Sequence, residues 1–244
     1  MQWADEGIVL ALRRHGETSV IADVLTEQHG RFMGLVRGGR SRVQRPVLQP
    51  GNSVSVTWRA RIEEHLGSFV LEPVKLRAAS LIDDPLRLAA MMSLCELCQL
   101  VPEREAHARL YAASLLVLDG LSEELLLWGS LLVRWELGLL DELGFGLDLS
   151  ACAATGQAHD LAYISPRTGR AVSRDAGQAW KDKLLILPEF LLEGWVSPAA
   201  TDIMDGFKLT GYFLDRHVTG PRGLALPEAR GRLVAGFGQS KGGE

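Results

Sequence analysis

Residues 31 to 46 read RFMGLVRGGRSRVQRP, with arginines at Arg31, Arg37, Arg40, Arg42 and Arg45 and no acidic residue. The opening alternates as a strand does, Gly38-Gly39 interrupts it and Pro46 stops it, so the spacing predicts a strand running out into a flexible basic loop. Guanidinium groups pair with phosphate oxygens as planar forks, and glycines beside them let the backbone come close to a ligand. Five such charges on one loop favour nucleic acid over a small ligand. The plainer alternative is a solvated loop whose charge keeps the chain soluble.

Within the same stretch, GLVRGGRS (Gly34 to Ser41) stands one residue away from the phosphate-loop pattern G-x-x-x-x-G-K-[ST]. That pattern needs a lysine for the outer phosphates and a helix opening directly behind it. Here Arg40 replaces the lysine, and SRVQRPVLQPGNSVSV, with Pro46 and Pro50, returns to strand alternation. The sequence therefore speaks against a nucleotide-hydrolysing site.

Outward toward the N-terminus, GIVLALRRHGETSVIADVLTEQHGRFMGLV consists of apolar runs broken by RRHGET and EQHG, which reads as three short strands. On the other side, Pro50-Gly51 makes a turn, NSVSVTW places Val54, Val56 and Trp58 on one face, and RARIEEHLGSFVLEPV adds a further turn and strand. About five strands within residues 1–80 suit a small Greek-key barrel of the OB type, with an SH3-like barrel as the alternative.

The pattern changes at Asp83-Asp84-Pro85, an acidic cap with proline at the first helical position, followed by the apolar LRLAAMMSLCELCQL. A second helix is expected from about Glu103 to Leu118, and a third, capped by Ser122, with Leu125, Trp128, Leu132, Trp135 and Leu139 on one face and Gly144 at its end. Residues 145–182 lose this periodicity and read as a loop-rich excursion, with room for a small hairpin. Helix is expected again near Lys183 and after Ser197-Pro198, where Ile203, Phe207, Leu214 and Val218 mark one face before Gly220-Pro221; the tail GFGQSKGGE reads as frayed. The fold class is thus α+β, with a barrel domain at 1–80 and a helical domain at 81–244.

The formal charge of −4 is unevenly spread: residues 1–80 carry 11 Lys+Arg against 8 Asp+Glu, and residues 81–147 carry 4 against 11. A basic head on an acidic middle suggests two units with different partners. The longest apolar runs, such as Leu125 to Val133, fall short of a membrane span, and MQWADEGIVL lacks a secretory layout, so a cytoplasmic protein is expected, with no membrane partner. Three cysteines speak against a disulfide framework.

Cys95 and Cys98 form a C-x-x-C inside an apolar helix without a second pair, which favours two buried thiols over a metal site. The six histidines are scattered, no serine sits in a nucleophile elbow, and Glu63-Glu64 and Glu123-Glu124 read as solvated turn or helix-start residues. No catalytic centre, cofactor or metal is expected. Trp58, Phe32, Phe69 and Tyr163 are candidates for base stacking, with a core role the simpler reading.

The order GIVL, GETSVIADVLTEQHG, a strand entering a basic loop, a helical bundle, LLDELGFGLDLSACAATG and a late LPEARGRL resembles the bacterial recombination and repair protein family RecO over nearly the whole chain. The resemblance implies an OB barrel joined to a helical domain that often carries a four-cysteine zinc site. Here those positions fall at Cys152, Thr155 and near Ser173 and Ala176, so one of four ligands is present and a degenerate zinc-ribbon-like insertion without metal is expected at 145–182. It further implies a non-enzymatic mediator of the RecF pathway. Such a protein binds single- and double-stranded DNA, anneals complementary strands, partners RecR and helps RecA onto DNA coated by single-strand-binding protein, in the cytoplasm and at the nucleoid during repair. The helical domain would take the C-terminal tail of the single-strand-binding protein, with Arg104, Arg109 and Arg134 as candidate contacts.

The residues then assigned to DNA are Arg31, Arg37, Arg40, Arg42 and Arg45. The competing readings are a protein-interaction adaptor whose basic loop is merely solvated, and an RNA-binding barrel.

Overall fold

A computed structural model describes residues 1–62, 64–192 and 197–239. The chain forms two compact units, one of residues 1–118 with 227–233, the other of residues 119–226 with the described chain from 234 onward.

The first unit opens with a five-stranded sheet: β1 (Gln2–His15), β2 (Ser19–Thr26), β3 (Gly30–Val36), β4 (Ser53–Arg59) and β5 (Ser68–Lys75). The fourteen residues of β1 serve two neighbours, pairing with β4 from Gln2 to Ile8 and with β2 from Gly7 to His15, with a bulge between Val9 and Ala11. The order β1-β2-β3-β5-β4 returns to β1, and the last join is a parallel contact of Leu35 on β3 with Ser68 on β5. Alternation along β3 sends Phe32 and Val36 inward to Val9, Val24, Val54, Val56, Trp58, Phe69 and Leu71. Phe32, Trp58 and Phe69 are thus core residues, and Gly34 leaves room for the Phe69 ring, which a Cβ there would meet at 2.6 Å.

After α1 (Ala78–Leu81), Asp84 caps α2 (Pro85–Cys98) by accepting the N–H groups of Leu86 and Arg87 at 3.1 and 3.0 Å, as the acidic-proline signature predicts. Cys95 and Cys98 are fully buried in α2, where burial pushes the Cys98 thiol up to about 12. The following helix, α3 (Ala108–Gly120), starts later than its sequence suggests. Residues before it are held by an extended pairing of Glu103 with Arg31, and Arg104 takes a left-handed backbone (φ 64°) and lies outside the helix.

In the second unit, α4 (Leu125–Glu142) buries Trp128, Leu132, Trp135 and Leu139 as the spacing predicts, and stops at Gly144 (φ 83°). Ser122 does not cap it: Glu124 holds that position, and the Ser122 hydroxyl donates to the Asp119 carbonyl at 3.1 Å. The region expected to be loop-rich contains β6 (Leu161–Ile164) and β7 (Ala171–Ser173) as a hairpin, then α5 (Arg174–Gly177). Near Lys183 the expected helix is absent. A 3-10 turn over Gln178–Lys183 leads instead into β8 (Leu185–Ile186), which completes a sheet of order β7-β6-β8, because the short apolar run there ends at Pro188 before helical pairing can build. The helix after Pro198, α6 (Ala200–Phe213), continues as a π-helical segment to Thr219. The tail is ordered further than expected, since α7 spans Glu228–Gln239 and packs Phe237 on Trp128 at 5.0 Å; residues 240–244 of that expectation, like Glu63, lie outside the described residues. No described helix is long and apolar enough to cross a membrane.

Candidate nucleic-acid interface

The stretch between β3 and β4 is not a loose loop. It carries Val47 and Leu48 into the core of the five-stranded sheet, and Gly39 lies against Val20 and Leu48 so closely that a Cβ would meet them at 2.7 and 3.1 Å. The backbone turns repeatedly, with Ser41 N–H donating to Gly38, Arg45 N–H to Ser41 and Leu48 N–H to Gln44 at 2.9–3.0 Å. Arg40 stitches the excursion to the β1–β2 turn: its N–H donates to the Thr18 carbonyl at 3.0 Å and its guanidinium to the Glu17 carbonyl. Asn52 closes the far end by donating to the Pro46 and Val47 carbonyls at 2.9 and 3.0 Å. No helix opens behind Ser41, so the amide cradle of a phosphate loop is missing.

This framework separates the five sequence-selected arginines. Arg37, Arg42 and Arg45 are exposed, and none of their guanidinium groups has a hydrogen bond or ion pair among the described residues. Arg45 and Arg40 line one cleft together with Arg14 of β1, and Leu12, Val20 and Leu48 belong to the same lining. Arg14 was not among the sequence candidates. It reaches the site because β1 pairs with β2, setting Arg14 opposite Val20. The turn signal RRHGET could have pointed to it, since it places two arginines at a hairpin tip.

Arg31 is elsewhere and differently employed. Its Nε donates to both Asp23 oxygens at 3.0 Å, its Nη2 to Asp23 at 2.8 Å, and its Nη1 to the Gln99 and Val101 carbonyls at 2.6 and 3.3 Å. Burial pushes the Asp23 carboxyl above its ordinary value, against the pull of the Arg31 charge. The guanidinium thus ties β2 and β3 to the end of α2.

The candidates on the helical side are also spread out. Arg104 donates to the Glu64 and His65 carbonyls at 3.3 and 3.2 Å and lies over the Phe32 ring at 4.9 Å, Arg134 donates to the Phe190 carbonyl, and Arg109 is exposed on α3. Tyr163 is half-buried on β6.

Where the resemblance would place a zinc ligand, Cys152 is buried and free, and its sulfur accepts the Ser173 N–H at 3.2 Å. Burial pushes this thiol up, but hydrogen bonds from Ser173, Thr155 and Ala154 outweigh it and hold it at about 6. The donor set of one thiol with serine, threonine and alanine does not fit zinc, and no group of three or more His, Cys, Asp and Glu side chains able to hold a metal occurs among the described residues.

Two family models match the chain: recombination protein O N terminal over residues 1–77 and recombination protein O C terminal over residues 82–224. The chain is similar to the DNA repair protein RecO of Mesorhizobium japonicum, with 52% identity over 238 residues, 96% of this chain and 93% of the relative. It is likewise similar to the DNA repair protein RecO of Methylobacterium nodulans (52% over 240 residues, 96% and 97%) and of Rhizobium etli (53% over 235 residues, 96% and 91%). With both halves matched and identities above 50% over almost the full length, the chain belongs to the RecO family.

Proposed function

We propose that this protein is a DNA-binding repair and recombination factor that acts without bond chemistry of its own. The observation that carries the reading is the basic excursion: Arg37, Arg42 and Arg45 stand free of ionic partners on an ordered backbone, and Arg14 and Arg40 join Arg45 around an acid-free cleft. Charges presented this way neutralise phosphates and release counterions without reading base edges, so binding is broad in sequence and steep in salt. The names of the relatives, DNA repair protein RecO, agree with it.

Within this reading the OB assignment is supported by the strand order β1-β2-β3-β5-β4. Residues 1–80 act as the nucleic-acid-binding domain and 81–244 as a helical domain, whose 145–182 region keeps a degenerate zinc-ribbon-like form around Cys152. The protein works in the cytoplasm and at the nucleoid during repair. It holds single- and double-stranded DNA, and a surface that screens the charge of two strands promotes annealing. Loading of RecA with RecR on DNA covered by single-strand-binding protein is the family role we assign to it, with the tail of that protein as a further partner.

The test is fluorescence anisotropy of a labelled single-stranded oligonucleotide at several salt concentrations, with a matched RNA as competitor. Binding whose logarithm falls linearly with log salt supports the reading. A folded protein that binds no DNA at any salt gives way to the adaptor reading, and preferential displacement by RNA to the RNA-binding one.

A further inference from the structure

The cleft lined by Arg14, Arg40 and Arg45 has a volume of about 290 Å³, and Leu12, Val20, Leu48 and Gln49 also line it. Small-ligand sites generally begin near 300 Å³, so this space has the size for one nucleotide rather than a run of several. Three arginines nevertheless line it, and none of its lining residues is a carboxylate. Arg40 spends part of its donor set on the Glu17 carbonyl, which fixes its position; Arg14 and Arg45 have no ionic partner among the described residues.

An internal phosphodiester carries one negative charge, whereas a phosphate monoester carries about 1.5 to 2 at neutral pH and offers three acceptor oxygens. Three arginines lining one cleft match the second far better than the first. The apolar Leu12, Val20 and Leu48 in the lining suit the sugar and base edge of the same nucleotide. Resting on the DNA-binding reading above, we infer that this cleft recognises a terminal phosphate monoester, so that the protein prefers phosphorylated strand ends.

The experiment compares oligonucleotides of one sequence bearing a 5′-phosphate, a 3′-phosphate or hydroxyl ends, with thymidine monophosphate as competitor. One phosphorylated end is expected to bind roughly tenfold tighter than the hydroxyl form, the size of one further charge-assisted hydrogen bond. Arg14→Gln and Arg45→Gln should each bring that ratio to about one. Arg42→Gln, outside the cleft, should weaken both oligonucleotides and leave the ratio. Excess thymidine monophosphate, which carries the same phosphate monoester on one nucleotide, should cancel the advantage of the phosphorylated end; an advantage that persists undiminished overturns the inference. Equal affinity for all ends overturns the inference and spares the DNA-binding reading. Absence of binding to every oligonucleotide removes both.

Discussion

Arg31 and Asp23 form a forked ion pair, with contacts of 3.0, 3.0 and 2.8 Å, in which the arginine side chain is 15% exposed and the carboxylate 9%. Removing the arginine leaves a buried carboxylate without its counter-charge and two backbone carbonyls without donors. Arg31→Gln is therefore expected to destabilise the fold by about 3 kcal/mol, while the double change with Asp23→Asn costs less than that. Urea unfolding of the three variants checks this, and a stable Arg31→Gln protein with weakened DNA binding would return Arg31 to the interface.

The four outer arginines give the opposite pattern. Joint replacement of Arg37, Arg40, Arg42 and Arg45 by Gln is expected to lower the log–log salt slope for single-stranded DNA by up to about three units, at roughly 0.7 per phosphate contact. Stability should change little, apart from the loss of the Arg40 stitch to Glu17. An unchanged slope in a folded variant sinks the assignment.

Acid should weaken the first unit through Asp5. Burial pushes its carboxyl up, but the His29 ring at 2.9 Å and the N–H groups of Gln28 and Glu6 outweigh that and hold it below its ordinary value. A depressed carboxyl contributes stability that is complete above the unfolded value of about 3.9 and is lost as pH falls through the lower folded one. Unfolding midpoints followed from about pH 6 to about pH 3 should decline less steeply in Asp5→Asn than in wild type. Trp3, stacked on His29 at 4.1 Å, offers a fluorescence signal at the same place.

Cys152 predicts a second pH effect of the same sign at higher pH. With its thiol held at about 6, the stability it contributes is complete above the unfolded value of about 8.5 and is lost as pH falls through 6. Thiolate absorbance should titrate with a midpoint near 6 in wild type and vanish in Cys152→Ala, since the buried Cys95 and Cys98 stay protonated. A wild-type midpoint at the ordinary thiol value would show that the Ser173 and Thr155 side chains and the N–H groups around the sulfur do not stabilise its charge.

Local signals carried much of the architecture. Alternation with glycine turns marks the five strands, Asp84-Pro85 marks the start of α2, and the Trp128 to Leu139 stripe marks the buried face of α4. The signals failed where a residue's role depends on distant chain. Arg31 looks like its neighbours in composition, yet besides Asp23 its partners include Gln99 and Val101, 68 and 70 residues away. Arg14 joins the cleft only through strand pairing. The run after Lys183 is too short for periodicity to separate strand from helix, and tertiary pairing with β6 decides for strand.

The burial of Val47 and Leu48 beneath the basic excursion has a kinetic and entropic meaning. Because those two side chains fix the backbone before any ligand arrives, contact with a phosphate does not have to order the segment first, and association forfeits less conformational entropy. Binding should then be limited by encounter and electrostatic steering, with dissociation set by the number of phosphates held. A Leu48→Ala protein would carry the same charges on a looser mount and so release DNA faster.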